Sequence, residues 1–188
     1  MARATKQRIL EAALRLFNQH GSAAISTNHV ADALRMSPGN LYYHFRNKSS
    51  IVRGLFAQFC DEATLRGVEH DEGPPVFLLV AWLERRAALL GRYEFLAREI
   101  FSLIESDPSL RERFERLLAL DRAELLEWMG EAIERGAVRP MELETRRALT
   151  EALILRAWCG ALLPRALRAG PDRAGAYALD LLAVAAKG

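Results

Sequence analysis

Asn40, Tyr42, Tyr43 and His44 are the side chains of this 188-residue chain whose types and spacing suit chemistry with a partner molecule. They lie in the run Pro38-Gly-Asn-Leu-Tyr-Tyr-His-Phe45. Leu41 and Phe45 are four apart, so a helix turns both inward. Gly39, Asn40, Tyr42, Tyr43 and His44 then share the outer face. A carboxamide can make paired hydrogen bonds to adenine, and an aromatic ring can touch a thymine methyl. Pro38 and Gly39 allow close approach. Catalytic chemistry has no comparable set. There is no Gly-rich phosphate loop and no nucleophile elbow. His20, His29, His44 and His70 include no pair at the spacing of a zinc-binding helix. His70, Asp71 and Glu72 are adjacent in a loop, an arrangement that rarely converges on one ion. Cys60 and Cys159 stand far apart and are expected to be two buried free thiols in a reducing cytosol. No enzyme, metal site or cofactor is expected.

The outer-face residues need a short rigid helix to carry them. Ser37 can cap it, and Pro38 at its first position sacrifices no hydrogen bond, because that N–H has no intrahelical partner. A preceding helix, about Thr27–Leu34, is capped by Ser26 or Thr27 and puts Val30, Ala31 and Leu34 on one face. Arg35 and Met36 form the turn. Ser26–Lys48 is thus a helix-turn-helix followed directly by another helix, capped by Asn47 and running about Lys48–Arg66 with Ile51, Leu55, Phe56 and Phe59 inward. Ahead of it, a helix of about Lys6–His20 carries Ile9, Ala13, Leu16 and Phe17 on one stripe and ends at Gly21 in a left-handed cap.

This segment resembles the DNA-binding domain of the TetR (tetracycline-repressor) family of bacterial transcriptional regulators. The shared pattern covers about residues 5–60: Phe17-x-x-x-Gly21, Thr27 with Val30-Ala31, Leu41-Tyr42-x-His44-Phe45, and Asn47-Lys48. The resemblance implies an all-α fold. Residues 1–47 would form a three-helix DNA-binding domain and residues 48–188 a helical-bundle domain for ligand sensing and dimerisation. It implies a homodimeric repressor on double-stranded operator DNA, released by a small-molecule effector of unknown identity. Many relatives carry glycine where Arg35 stands; if that position needs positive φ, arginine costs roughly 1–2 kcal/mol. Within the resemblance, chemistry divides the roles. Asn40 and Tyr43 should face base edges, with Pro38 and Gly39 close enough to touch them. Thr27, Tyr42, His44 and Lys48 should meet phosphates, Lys48 together with the N–H groups opening its helix. Asn28 could do either. Tyr42 and His44 could instead hold the third helix against its neighbours.

Charge supports a polyanionic partner. Residues 1–50 carry seven basic side chains against two acidic ones, net +5, so the total of +2 leaves −3 for the rest. The N-terminus has no apolar signal core, and the longest apolar runs, such as Val76–Leu83, fall far short of the roughly 20 residues of a membrane span. A cytoplasmic protein without a membrane partner is expected.

Beyond the loop Gly67–Pro75, a helix opens at Pro75 with an all-round apolar start and should be central. Tyr93–Glu105 is helical. Ser106 or Asp107 then caps a helix of about 28 residues, roughly 42 Å, which starts at Pro108. Gly136–Pro140 breaks it. Two more helices are expected, about Met141–Leu163 and Asp172–Ala186. Ala174–Ala186 has one charge, Asp180, where a surface helix of a monomer should show a polar half. Gly160, Ala161, Tyr177, Leu181 and Leu182 are therefore expected at a dimer interface, and the resemblance implies the same pairing of the last two helices. Trp82, Tyr93, Phe101, Trp128 and Trp158 could line an effector pocket, with Arg85, Arg86, Arg98 and Arg156 as polar anchors, Arg86 among the lining residues; plain core packing is the alternative for each aromatic. A ligand-independent regulator or architectural DNA binder would share the head and lack the pocket.

Overall fold

The computed structural model describes residues 2–64 and 75–162. Among these residues there are eight α-helices and no strand: α1 Ala2–His20, α2 Thr27–Ala33, α3 Pro38–His44, α4 Lys48–Thr64, α5 Pro75–Arg92, α6 Glu94–Ser106, α7 Pro108–Glu134 and α8 Leu143–Leu162. The fold is all-α with an N-terminal helix-turn-helix, as expected. No described helix is long and apolar enough to cross a membrane. The expected last helix, about Asp172–Ala186, and the loop carrying His70, Asp71 and Glu72 lie outside the described residues.

Local chemistry sets most boundaries. Gly21, at φ 81°, ends α1, and its N–H donates to the Phe17 carbonyl at 2.8 Å. Ser26 caps α2 reciprocally: its Oγ accepts the His29 N–H, and His29 Nδ1 accepts the Ser26 N–H, both at 3.3 Å. Ser37 accepts the Asn40 N–H at the start of α3. Asn47 Oδ1 accepts the Ser50 N–H at 2.8 Å and caps α4. Asp107 accepts from Ser109 and Leu110, and Pro108 opens α7. α1 starts four residues earlier than expected, at Ala2, and α6 starts at Glu94 because Tyr93 takes the cap position. Arg35 has φ 52°, so the turn does use the left-handed region that glycine would enter without strain.

Among the described residues the core is continuous from α1 to α8. Ile9, Ala13 and Phe17 of α1 are fully buried against Val30, Ala31 and Leu41 of the next two helices. Phe17 also packs on Phe95 of α6, ring centroids 5.2 Å apart. Phe56 and Phe59 of α4 stack at 6.0 Å and meet Phe114 of α7, Tyr93, and Trp158 of α8. α5 packs on both α7 and α8, which is the central position its apolar start predicted. α4 crosses close to its neighbours at Gly54, where a Cβ would sit 2.9 Å from Leu10 Cδ2 and 3.3 Å from the Phe45 ring. Cys60 is buried, but Cys159 is exposed, contrary to the expectation of two buried thiols. It lies four residues after exposed Leu155, on the outer face of α8.

Candidate nucleic-acid interface and the cleft in the body

α3 has two opposed faces. Leu41 and the cap residue Phe45 are 0% and 4% exposed, whereas Tyr43 is 82% exposed. Pro38, Gly39, Asn40 and Tyr42 are also exposed, and His44 is half-buried with its ring edge-on to Tyr43 at 5.2 Å. A Cβ at Gly39 would meet nothing within 4 Å, so no packing inside the chain demands glycine there. Asn28 is exposed on α2. Thr27 Oγ1 and the Tyr42 hydroxyl lie 3.2 Å apart, joining the start of α2 to the middle of α3. Lys48 is half-buried, and its Nζ donates to the carbonyls of Ser22 at 2.7 Å and Ala23 at 3.3 Å. An ammonium has three N–H donors, so one remains beyond these two bonds.

The loop that Lys48 holds is also gripped from the body. Glu99 of α6 accepts the Ser22 N–H at 3.0 Å and the Ser22 hydroxyl. Asn18, near the end of α1, donates to the Arg92 carbonyl at 2.9 Å and accepts the Phe95 N–H at 3.0 Å. Arg98 donates to the Asn18 carbonyl at 2.8 Å. Arg53 of α4 pairs with Asp107 at 2.7 Å. The Asp107 carboxyl is drawn up by burial, but Arg53 and the Leu110 and Ser109 N–H groups outweigh this and hold it below the ordinary carboxylate range. None of these long-range ties has a sequence signal, because their partners lie 54 to 80 residues apart.

A cleft of about 420 Å³ opens beside α4 and α5, lined by Glu62, Ala63, Trp82, Arg85, Arg86, Ala88, Leu89 and Arg92. Of the residues expected to line a pocket, Trp82 and Arg86 do. Tyr93 is buried and donates its hydroxyl to Glu62 at 2.8 Å. Trp158 is buried edge-on against Phe114 at 5.1 Å, Trp128 is half-buried, and Phe101 is 68% exposed on α6. None of these four lines the cleft; packing between helices, or solvent, takes them instead. Of the expected anchors, Arg98 binds the end of α1, as described. Of the expected dimer contacts, Gly160 and Ala161 fall in the last turn of α8, and Tyr177, Leu181 and Leu182 lie outside the described residues.

Arg86 forms a buried ion pair with Asp121 of α7, each side chain 3% exposed. Burial pushes the Asp121 carboxyl up to about 6, against the pull of Arg86. The nearby Cys60 thiol is likewise pushed up by burial, to about 12, and is inert at neutral pH. Sequence reasoning missed Asp121, although a signal exists. It sits four residues after Leu117 and four before Leu125, inside the apolar stripe of α7, where a lone carboxylate demands a partner.

Comparison with known proteins bears on the family. Residues 9–55 match the sequence profile of the bacterial regulatory proteins of the tetR family. The regulator AcrR of Shigella flexneri is 26% identical over 172 residues, covering 86% of this chain and 78% of that protein. The repressor AcnR of Corynebacterium diphtheriae is 30% identical over 135 residues, 70% of this chain and 65% of its own. A TetR-family regulator from Marinobacter aquaeolei superposes with a TM-score of 0.86 at 29% identity, covering 97% of this chain and 91% of the other. Residues 9–55 are thus a tetR-family DNA-binding segment, and the chain as a whole is similar to TetR-family regulators. Like them it is a DNA-binding transcriptional regulator, and its relatives are regulators rather than enzymes. GusR of Salmonella enterica, with a TM-score of 0.75 at 20% identity, shares the fold.

Proposed function

We propose that this regulator is a cytoplasmic homodimeric repressor whose hold on a near-palindromic operator is released by a small molecule bound in the body. The observation that carries the DNA reading is the division of α3, with Leu41 and Phe45 buried while Pro38, Gly39, Asn40 and Tyr43 face outward. Asn40 and Tyr43 read base edges, with Pro38 and Gly39 against the groove. Thr27, Tyr42, His44 and Lys48 hold phosphates, and Asn28 contributes to either set. Residues 1–47 form the reading head and 48–188 the sensing and dimerising body. The cleft favours an effector over ligand-independent control. Low charge across Ala174–Ala186 and the exposed Leu155 and Leu143 on α8 support pairing of the C-terminal helices in a dimer.

Selection from a pool of random duplexes tests this directly. The recovered sites should be near-palindromes with half-site centres about 10 bp, or a multiple, apart. Asn40→Ala should cost roughly 1–3 kcal/mol on the selected site and relax preference at one base pair. Equal loss on selected and random DNA removes Asn40 from the base-reading set.

A further inference from the structure

We propose that the cleft beside α4 and α5 binds an organic carboxylate with an apolar body, the carboxylate being held by Trp82 and Arg86. The regulatory meaning of this site rests on the sensor reading above; the binding itself does not. Trp82 and Arg86 are one turn apart on α5, both line the cleft, and they are 4% and 3% exposed. The Trp82 indole N–H and the Arg86 Nη1 have no hydrogen-bond partner among the described residues. Buried donors are rarely left so, because desolvation is then uncompensated. The Arg86 guanidinium lies over the Trp82 ring, 5.1 Å from its centre, which keeps both donors on one patch.

Charge points the same way. Among the described residues the ionisable lining is Arg85, Arg86 and Arg92 against Glu62, and Glu62 is already paired with Arg92. Asp121 neutralises Arg86 but does not line the cleft, so an incoming ligand meets the donor and not the acceptor. An oxyanion satisfies two N–H donors, and hydrogen bonds between ionised partners are the stronger kind. An ammonium would face the guanidinium groups. Ala63, Ala88, Leu89 and the indole of Trp82 supply apolar walls for the rest of the molecule. The volume, about 420 Å³, is at the lower end of small-molecule sites and suits an acid of one or two rings.

The test is calorimetric titration of the full chain with 4-phenylbutyrate, 1-naphthoate and the neutral amide of each. At least one acid should bind, about tenfold or more tighter than its amide. Trp82→Phe keeps an aromatic ring and removes the N–H; it should weaken that acid by about fivefold or more and leave the amide within about twofold. The paired change Arg86→Met with Asp121→Leu removes both charges at similar volume, so the fold survives. It should abolish the preference for acid over amide, with helicity by circular dichroism unchanged. Equal affinity for acid and amide, a preference that survives the paired change, or no binding of either acid at millimolar concentration overturns the proposal. Repeating the titration with operator duplex separates the two readings: an acid that binds equally with and without operator keeps the site and removes its role in control.

Discussion

Arg35 is the one non-glycine residue with positive φ among those described, at φ 52°. Its side chain is exposed, so nothing in the core repays the strain. Arg35→Gly relieves roughly 1–2 kcal/mol of left-handed strain and gives back part of it as unfolded-chain entropy. A net gain of about 0.5–1 kcal/mol is expected in urea unfolding; an unchanged or lower midpoint would contradict the strain. The buried pair makes a second prediction. Asp121→Asn keeps an acceptor for Arg86 and should cost little at pH 7, because burial already disfavours the charged carboxylate. Asp121→Leu strands the guanidinium and should cost about 3–5 kcal/mol, most of it recovered with Arg86→Met. The pH dependence follows from the same carboxyl. Its folded value, about 6, is raised, so its stabilising contribution is greatest below the unfolded value and fades as pH rises from about 4 to 6. Asp107 is depressed and acts oppositely, its contribution being lost as pH falls through its folded value. Wild type should therefore lose stability relative to Asp121→Asn as pH rises from about 4 to 6; wild type gaining on the variant over that range would reverse the assignment.

The seven-residue α3 is too short to hold as a helix by itself, so caps and contacts must fix it. Those caps were legible because they are local: Ser37 with Pro38, Asp107 with Pro108, Asn47 before Lys48. The close crossing at Gly54 was not. A glycine inside a helical stretch says nothing about which neighbour comes near, and Leu10 and Phe45 reach it only through the fold. Gly54→Val pushes into both side chains and should destabilise by about 1–3 kcal/mol, read by thermal unfolding. It should also shift α4 against α3 and weaken operator binding beyond what unfolding explains. Unaltered affinity in the folded fraction would show that the crossing serves packing alone.

At the scale of the molecule, the cleft is tied to the N-terminal helices through Arg92. The Arg92 side chain lines the cleft while its carbonyl accepts from Asn18, and Glu99 holds Ser22, whose carbonyl accepts Lys48. A ligand that prefers one arrangement of these ties must bias operator affinity by its difference in affinity for the two states. Coupling of about 1–3 kcal/mol is typical, and operator must weaken the ligand by the same factor. Asn18→Ala should cut that coupling while leaving each ligand's separate affinity nearly intact, a split that paired titrations resolve; coupling that survives unchanged places the route elsewhere. Such a connection is invisible to periodicity, which sees faces and not the partners that faces meet. The pocket expectation fared accordingly: an aromatic spacing alone could not distinguish Trp82, which lines the cleft, from Trp158, which packs in the core. The open space around Gly39 has the opposite character. Folding constrains the inner side of α3 and leaves the outer side unclaimed, so on the proposed reading substitutions at positions 39, 40 and 43 should alter what is read without touching what holds the helix in place. Target preference can thus drift, or be redirected by design, one outward residue at a time, while the scaffold stays the same.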